Sequence, residues 1–282
     1  MQNQSHSSTS SAPILVLGSS GKTGRRVAER LHAAGRLVRE GSRAAAVPFD
    51  WNDSSNWADV LAGVEAVYIA YAPDLAAPGA DTAMRELVRL ASAAHVQRLV
   101  LLSGRGEPEA QLCEQIVRDS GIAWTIVRCS WFAQNFTESF LADSVAQGLV
   151  ALPAGEIGEP FVDADDIADV ATAALLDSRH TGQLYELTGP RLLTFAEAVA
   201  EFGAATGREL TYQQIPHADF IAGMEDAGVP ADYVHLLDYL FGTVLDGRNA
   251  WVADGVERAL GRPARDFAEF ARRAAGAVAA TS

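Results

Sequence analysis

Pro13-Ile-Leu-Val-Leu17 is apolar without a break and runs directly into Gly18-Ser-Ser-Gly21-Lys-Thr-Gly24. A short continuous apolar run reads as a strand buried on both faces. Residues 21–34, with Val27, Ala28 and Leu31 on one face, read as a helix. A strand that turns at once into a helix needs glycine in three places: at the tight turn, where a diphosphate approaches the backbone, and where helix packs on sheet. Gly18, Gly21 and Gly24 stand at those places. The helix N-terminus offers free N–H groups and the positive end of its dipole. Ser20, Lys22 and Thr23 complete a candidate phosphate cradle. The same loop is compatible with a tight turn that binds nothing. The phosphate loop of ATPases is a poor match, because it needs glycine five residues before Gly21, where Val16 stands.

The strand–helix rhythm continues. Runs at 36–39, 46–49, 66–70, 98–102 and 124–127 read as further strands, with helical patterns at 81–94 and 108–119 between them. This order predicts an α/β fold of the Rossmann type, a doubly wound parallel sheet with right-handed crossovers and helices on both faces. After Ser130 the rhythm loosens. Residues 131–147 read as helical, 149–152 as extended, 165–176 as helical and 184–187 as a strand. Residues 195–206 form a helical pattern with Thr194 as N-cap and Gly207 beyond its end, 209–215 is a late strand, and 265–279 is an amphipathic helix. The expected organisation is a disordered tail over 1–12, an NAD(P)-binding Rossmann domain over 13–155, and a small, mostly helical substrate lobe over 156–282, packed on the first and partly interleaved with it.

The formal charge is −14, from 22 basic and 36 acidic residues. Such a balance argues against nucleic acid or an anionic membrane as partner, and leaves a small-molecule substrate. No apolar run reaches the roughly 18 residues of a membrane span. The first dozen residues lack the apolar core and cleavage pattern of a secretory signal, so a cytoplasmic monomer or homodimer is expected. Cys113 and Cys129 make neither a disulfide framework nor a metal site. Asp163, Asp165 and Asp166 precede a helix, where Asp165 or Asp166 reads as a cap or N-terminal charge in place of a metal ligand.

Other positions fit a dinucleotide. After the second strand stands Glu40-Gly-Ser42-Arg43. Ser42 and Arg43 suit a 2′-phosphate, whereas Glu40 would suit the free diol of NAD(H), so that NADP(H) is favoured over NAD(H). Asp50 is a candidate acceptor for the adenine amino group, with Trp51 beside it. Ala70, Tyr71 and Ala72 end a strand where ribose and diphosphate would lie.

The stretches GSSGKTGRRV, VPFDWNDSSNWADVLAGVEAVYIA, RLVLLSG, SGIAWTIVRCSWFAQNFTESF and PFVDADDIADVA together resemble the NmrA-like, atypical short-chain dehydrogenase/reductase family. Within it they are most similar to ergot-alkaloid-type reductases, the festuclavine and agroclavine dehydrogenases. The resemblance implies a Rossmann fold with a small C-terminal substrate lobe and NADPH as cofactor. It leaves activity open, since the family also holds quinone reductases and catalytically silent redox sensors. This chain departs from the short-chain dehydrogenase pattern of Ser with Tyr-x-x-x-Lys. Ser103 stands at the matching strand end, but no tyrosine lies between Tyr71 and Tyr185, and Lys22 is the sole lysine and is expected to serve the glycine loop. Arg128-Cys129 replaces the family's common Arg-Pro beside the nicotinamide pocket.

Reduction of a ketone produces an alkoxide and needs a positioned acid. Reduction of an iminium does not, and a quinone is intermediate because its dianion is weakly basic. A site without Tyr and Lys therefore points to hydride transfer governed by orientation and exclusion of water. Tyr71, Trp131, Phe132, Asn135, Phe136 and Phe161 are candidate pocket walls, and Tyr233, His235, Tyr239, Phe241 and Trp251 are candidates to close the cleft. No catalytic residue is certain; Ser103, Glu107 and Gln111 are candidates, with Glu109 and Glu114 nearby. The expected function is an NADPH-dependent oxidoreductase acting on an iminium, quinone or similar electrophile of secondary metabolism. The alternatives are a non-catalytic NADP(H)-binding redox sensor and a redox-neutral isomerase or cyclase.

Overall fold

A computed structural model describes residues 12–280. The tail expected over 1–12 lies, but for Ala12, outside them. In strand β1 (Ile14–Leu17) every residue is buried, and alternation sends Ile14 and Val16 to one face of a sheet and Leu15 and Leu17 to the other. Both faces are therefore covered. The chain continues through α1 (Lys22–Ala33), β2 (Val38–Gly41), α2 (Trp57–Leu61), β3 (Ala66–Ile69), α3 (Ala80–Ala93), β4 (Arg98–Gly104), α4 (Pro108–Arg118) and β5 (Ala123–Cys129). Then follow α5 (Asn135–Glu138), α6 (Leu141–Gln147), β6 (Leu149–Leu152), α7 (Ala164–Leu176), β7 (Gln183–Leu187), α8 (Phe195–Thr206) and β8 (Thr211–Gln214). The last elements are α9 (His217–Asp226), α10 (Ala231–Tyr239), α11 (Gly255–Leu260) and α12 (Phe267–Ala280).

The large sheet has the order β2-β1-β3-β4-β5-β7 and is parallel throughout. Chain order reverses between β1 and β3, which opens a crevice at the carboxyl ends of these strands. One face is covered by α2, α3 and α4, through Trp57, Met84, Leu87 and Ile116. The other is covered by α1, α7 and α11, through Val27, Leu31, Ile167 and Val256. Burying a side chain the size of Val27 or Leu31 contributes roughly 1.5–3 kcal/mol. A second, two-stranded parallel sheet pairs β6 with β8, and it belongs to a lobe whose core is largely phenylalanine. Among the described residues no helix is long and apolar enough to cross a membrane.

Two expected elements differ. Residues 46–49 form no strand. The chain turns back on Ser42, whose carbonyl accepts from Ala45 N and Phe49 N at 3.2 and 2.9 Å. Ala46 has little preference for a strand and Pro48 has no N–H for a ladder. Phe49 is buried instead by stacking on Trp57 at 5.1 Å. The single helix expected over 131–147 is two short ones. Trp131 O accepts from Val162 N and Ala133 N donates to Val162 O, a strand-like pairing that occupies the backbone until α5 begins. Ser139, in extended conformation, then separates α5 from α6.

The acids at the start of α7 serve structure. Asp163, not Asp165 or Asp166, is the N-cap, accepting from Asp165 N at 2.9 Å. Asp165 and Asp169 bind Arg30 of α1 at 2.9 and 2.6 Å. The fully buried Asp166 pairs with Arg262 and Arg265, which tie the C-terminal segment to α7. In α8 the Thr194 hydroxyl accepts from Glu197 N at 3.1 Å, Glu197 returns the bond to Thr194 N, and Gly207 closes the helix in left-handed conformation, as the local sequence predicts.

Candidate active site

The glycine loop is built by contact. Gly18 has φ +75° and would place a Cβ 3.1 Å from Ala70 Cβ, while a Cβ on Gly24 would lie 2.1 Å from Gly18 O. Helix α1 thus sits against the loop with no space for a side chain. No side chain caps α1 and no acid stands in its first turn, so its N-terminal N–H groups and dipole are available to an anion. Ser19 Oγ is buried and has no hydrogen-bond partner. A cradle that admits no Cβ and an orphaned buried hydroxyl both fit a diphosphate. Ser20 is exposed at the loop tip, and Thr23 is buried against the hydroxyl of Tyr68.

Beyond β2, Ser42 is half-buried and Arg43 exposed, with no ion pair among the described residues; Glu40 is exposed as well. Asp50 spends its Oδ1 on Asn52 N at 2.9 Å. Trp51 packs on Tyr71 with ring centroids 4.7 Å apart, so it props a cavity wall. Ala70 is half-buried and Ala72 exposed at the end of β3.

At the carboxyl ends of β3, β4 and β5 lies a cavity of about 230 Å³. Tyr71, Ser103, Cys129, Trp131, Phe132 and Asn135 line it from the sheet side, and Tyr233, Leu236 and Leu237 of α10 face them. Lys22 is not confined to the glycine loop, as the sequence suggested. It reaches into this cavity, donates to Asn135 Oδ1 at 2.9 Å and lies 5.9 Å from the centre of the Phe132 ring. Burial lowers its pKa to about 8, against the opposing charge of Glu138. Phe136 and Phe161 do not line the cavity. Both are buried in the aromatic core of the lobe, 6.1 Å apart.

The three catalytic candidates separate in space. Ser103 Oγ donates to Glu114 Oε1 at 2.7 Å, and Glu114 accepts also from Arg128 Nε and Nη2 at 2.8 and 2.5 Å. The serine proton is therefore directed into the protein. Gln111 is exposed on α4 and lies outside the cavity lining. Glu107 lines the cavity and is buried. Glu109 is exposed and accepts from Tyr239 of α10 at 2.7 Å. Of the residues expected to close the cleft, Tyr233 lines the cavity, His235 is exposed, Phe241 belongs to the lobe core, and Trp251 is half exposed with Arg105 stacked 4.2 Å from its ring centre. Sequence inspection passed over Asp74, Ser139, Phe140 and Asn249, which also line the cavity. They sit in loops or on short elements with no periodic pattern to single them out. Burial pushes the Cys113 thiol up to about 12 and that of Cys129 further still, so both are neutral thiols.

Glu159 is fully buried and neither carboxyl oxygen has a partner. Burial pushes its pKa up to about 7, opposed by Arg105. Between its ordinary value and about 7 the folded state holds a proton that the unfolded chain has released, so stability falls as pH rises through this window. Glu159→Gln is expected to match the wild type near pH 5 and to exceed it at pH 8 by on the order of 2–3 kcal/mol, measured as urea midpoints at the two pH values. Equal midpoints at pH 8 would refute it.

Residues 18–178 match the family model for NAD(P)H-binding proteins, and residues 109–266 match that of the NmrA-like family. The chain belongs to the NmrA-like, NAD(P)H-binding family. An uncharacterized oxidoreductase, YesF, of Bacillus subtilis is 34% identical over 92% of this chain and 94% of its own length. The NAD(P)H azoreductase of Xenophilus azovorans is 32% identical over 95% of this chain and 99% of its own. Agroclavine dehydrogenase of Claviceps fusiformis is 29% identical over 91% and 95%. Among solved structures, a Citrobacter sp. triphenylmethane reductase complexed with NADP(H) has the same fold, with a TM-score of 0.78 at 20% identity, covering 93% of this chain and 99% of that one.

Proposed function

We propose that this protein is an NADPH-dependent oxidoreductase that transfers hydride to a small, ring-shaped, electrophilic molecule, such as an iminium or quinone of secondary metabolism. The observation that carries the proposal is the junction of the two features above. The uncapped start of α1 and the apolar cavity at the carboxyl ends of β3 to β5 meet at one residue, Lys22. In this reading the backbone of Gly18 to Gly24 holds the diphosphate, and Lys22 adds positive charge at neutral pH, where most of it stays protonated. When bound, the reduced nicotinamide supplies the hydride. The protein supplies orientation and dryness: Tyr71, Trp131 and Phe132 form flat apolar walls, and α10 covers the cavity. Trp131 is held against Phe195 and Phe241 at 5.3 and 5.0 Å, so the wall is rigid and orients an aromatic acceptor at little entropic cost.

The relatives named as an azoreductase and a clavine dehydrogenase support reduction of nitrogen-bearing, conjugated acceptors. The test is to mix the protein with NADPH and panels of quinones and cyclic iminium salts and follow loss of NADPH absorbance. Turnover well above background is expected. Tight coenzyme binding without turnover of any acceptor would refute the enzyme and favour a redox sensor. Coenzyme preference is expected to rest on Arg43. Arg43→Ala removes a charge-assisted hydrogen bond to the 2′-phosphate worth about 1.5–3 kcal/mol, so calorimetry should show NADPH binding weakened roughly ten- to a hundredfold and NADH binding unchanged. Equal weakening of both would rule out a 2′-phosphate contact.

A further inference from the structure

Asp74, in the loop after β3, and Glu107, at the residue before α4, both line the cavity. Glu107 is only 5% exposed, and its Oε2 is buried without any N–H or O–H to bind it. The carboxyl fills the space left by the missing side chain of Gly104, where a Cβ would fall 2.2 Å from Glu107 Oε1. Its neighbour within hydrogen-bond reach is the carboxyl of Asp74, which is held in place by a bond from Ala76 N at 2.9 Å.

Two carboxylates repel, and two carboxyl groups bond only when a proton lies between them. The surroundings favour keeping that proton. Glu109 and Glu114 add negative charge from α4. Of the nearby cations, Arg128 is bound to Glu114 and Glu186, Arg248 to Asp246 and Gly106 O, and Arg105 to Glu186 and the Trp251 ring. The Tyr239 hydroxyl is turned to Glu109. Burial first, then the charge of Asp74, pushes Glu107 well above the carboxylate range; burial also raises Asp74, while the bond from Glu107 favours its charged form. The geometry favours the proton on Glu107: Asp74 is the less buried of the two and accepts an N–H from Ala76, whereas Glu107 Oε2 has no donor.

We propose that Glu107 is the proton donor of the reaction, positioned by Asp74, where the short-chain dehydrogenase pattern would use the tyrosine of Tyr-x-x-x-Lys. The inference rests on the reductase reading and narrows its substrates. A neutral acceptor, such as a quinone, an azo compound or a conjugated carbonyl, gains two electrons with the hydride and becomes an anion on oxygen or nitrogen. The O–H bond of Glu107 breaks as an O–H or N–H bond forms on that anion. Glu107 is left as a carboxylate beside Asp74, and water at the cavity mouth returns the proton. An iminium cation needs no such proton, because hydride alone makes it a neutral amine.

The test compares wild type, Glu107→Gln and Asp74→Asn. The infrared difference spectrum of wild type minus Glu107→Gln, recorded at pH 8 where Glu159 is ionised, should show a carboxylic-acid band. Glu107→Gln should lower kcat for a quinone by ~10²–10⁴-fold, leave reduction of an iminium salt within a few-fold, and leave the NADPH Kd unchanged. Asp74→Asn should keep activity at low pH but move the alkaline limb of the quinone pH profile downward, because Glu107 then loses its proton more readily. A merely structural Asp74 would not move that limb, and an unshifted limb counts against its role. Absence of the acid band, or a Glu107→Gln enzyme with the wild-type rate and profile on quinones, overturns the proposal while leaving the reductase intact. An acid band with no turnover of any acceptor by the wild type overturns the reductase reading and the donor role with it.

Discussion

Gly24→Ala is expected to yield a protein destabilised by about 3 kcal/mol, the upper end of the usual cost of overpacking, with NADPH affinity reduced at least a hundredfold. The added methyl would sit 2.1 Å from Gly18 O and 3.1 Å from Ser19 Cα, and both obstacles are backbone. No side chain can move aside to relieve the contact. Either α1 lifts from the sheet, uncovering Val27 and Leu31, or the loop shifts and loses its carbonyl-to-amide bond from Gly21 N to Gly18 O at 2.9 Å. Both outcomes misplace the first-turn N–H groups. Gly223→Ala is the control: it lies within α9, where a Cβ meets nothing within 4 Å, and it should stabilise by about 0.5–1 kcal/mol through helix propensity. Urea unfolding and calorimetric titration with NADPH check the pair. A Gly24→Ala protein with wild-type midpoint and affinity would mean that the loop is not packed in this way.

The second large effect concerns the support beneath Ser103. Glu114→Ala is expected to cost about 3–5 kcal/mol, the usual penalty for breaking a buried ion pair from one side. Glu114 is 2% exposed in its side chain and accepts from Ser103 and twice from Arg128. Without it, Arg128 keeps only Glu186, at 2.9 Å, and the Ser103 hydroxyl loses its acceptor beside the cavity. The sign of the cost can be separated from simple loss of contact. In the double variant Glu114→Ala with Arg128→Met the guanidinium that the single change strands is also removed, so its destabilisation should fall short of the sum of the singles by about 1–3 kcal/mol. Strict additivity in urea unfolding would show that the two side chains do not act as a pair.

The parts legible in advance are those written in consecutive residues. β1 declared itself by an unbroken apolar run, the glycine loop by its spacing, and α8 by Thr194 at one end and Gly207 at the other. Capping, turn sterics and hydrophobic period act over a few residues, so the sequence states them directly. The failures have one cause. Residues 46–49 were apolar enough for a strand but found their burial through Phe49 against Trp57. Residues 131–134 were periodic enough for a helix but gave their backbone bonds to residue 162. In both, a partner distant in sequence offered more than local propensity did.

The same distinction runs through the site. The sequence alone determined that a parallel sheet would present a glycine turn at a helix start, and that the Tyr-x-x-x-Lys spacing is absent from the chain. Tertiary structure decided which aromatics face the cavity and which fill the core, with Trp131 and Phe132 in the first group and Phe136 and Phe161 in the second. It also sent Lys22 across to Asn135 and brought Asp74 against Glu107. Side-chain direction and the sharing of a proton depend on what lies opposite in space, and the chain order of one sequence does not record that.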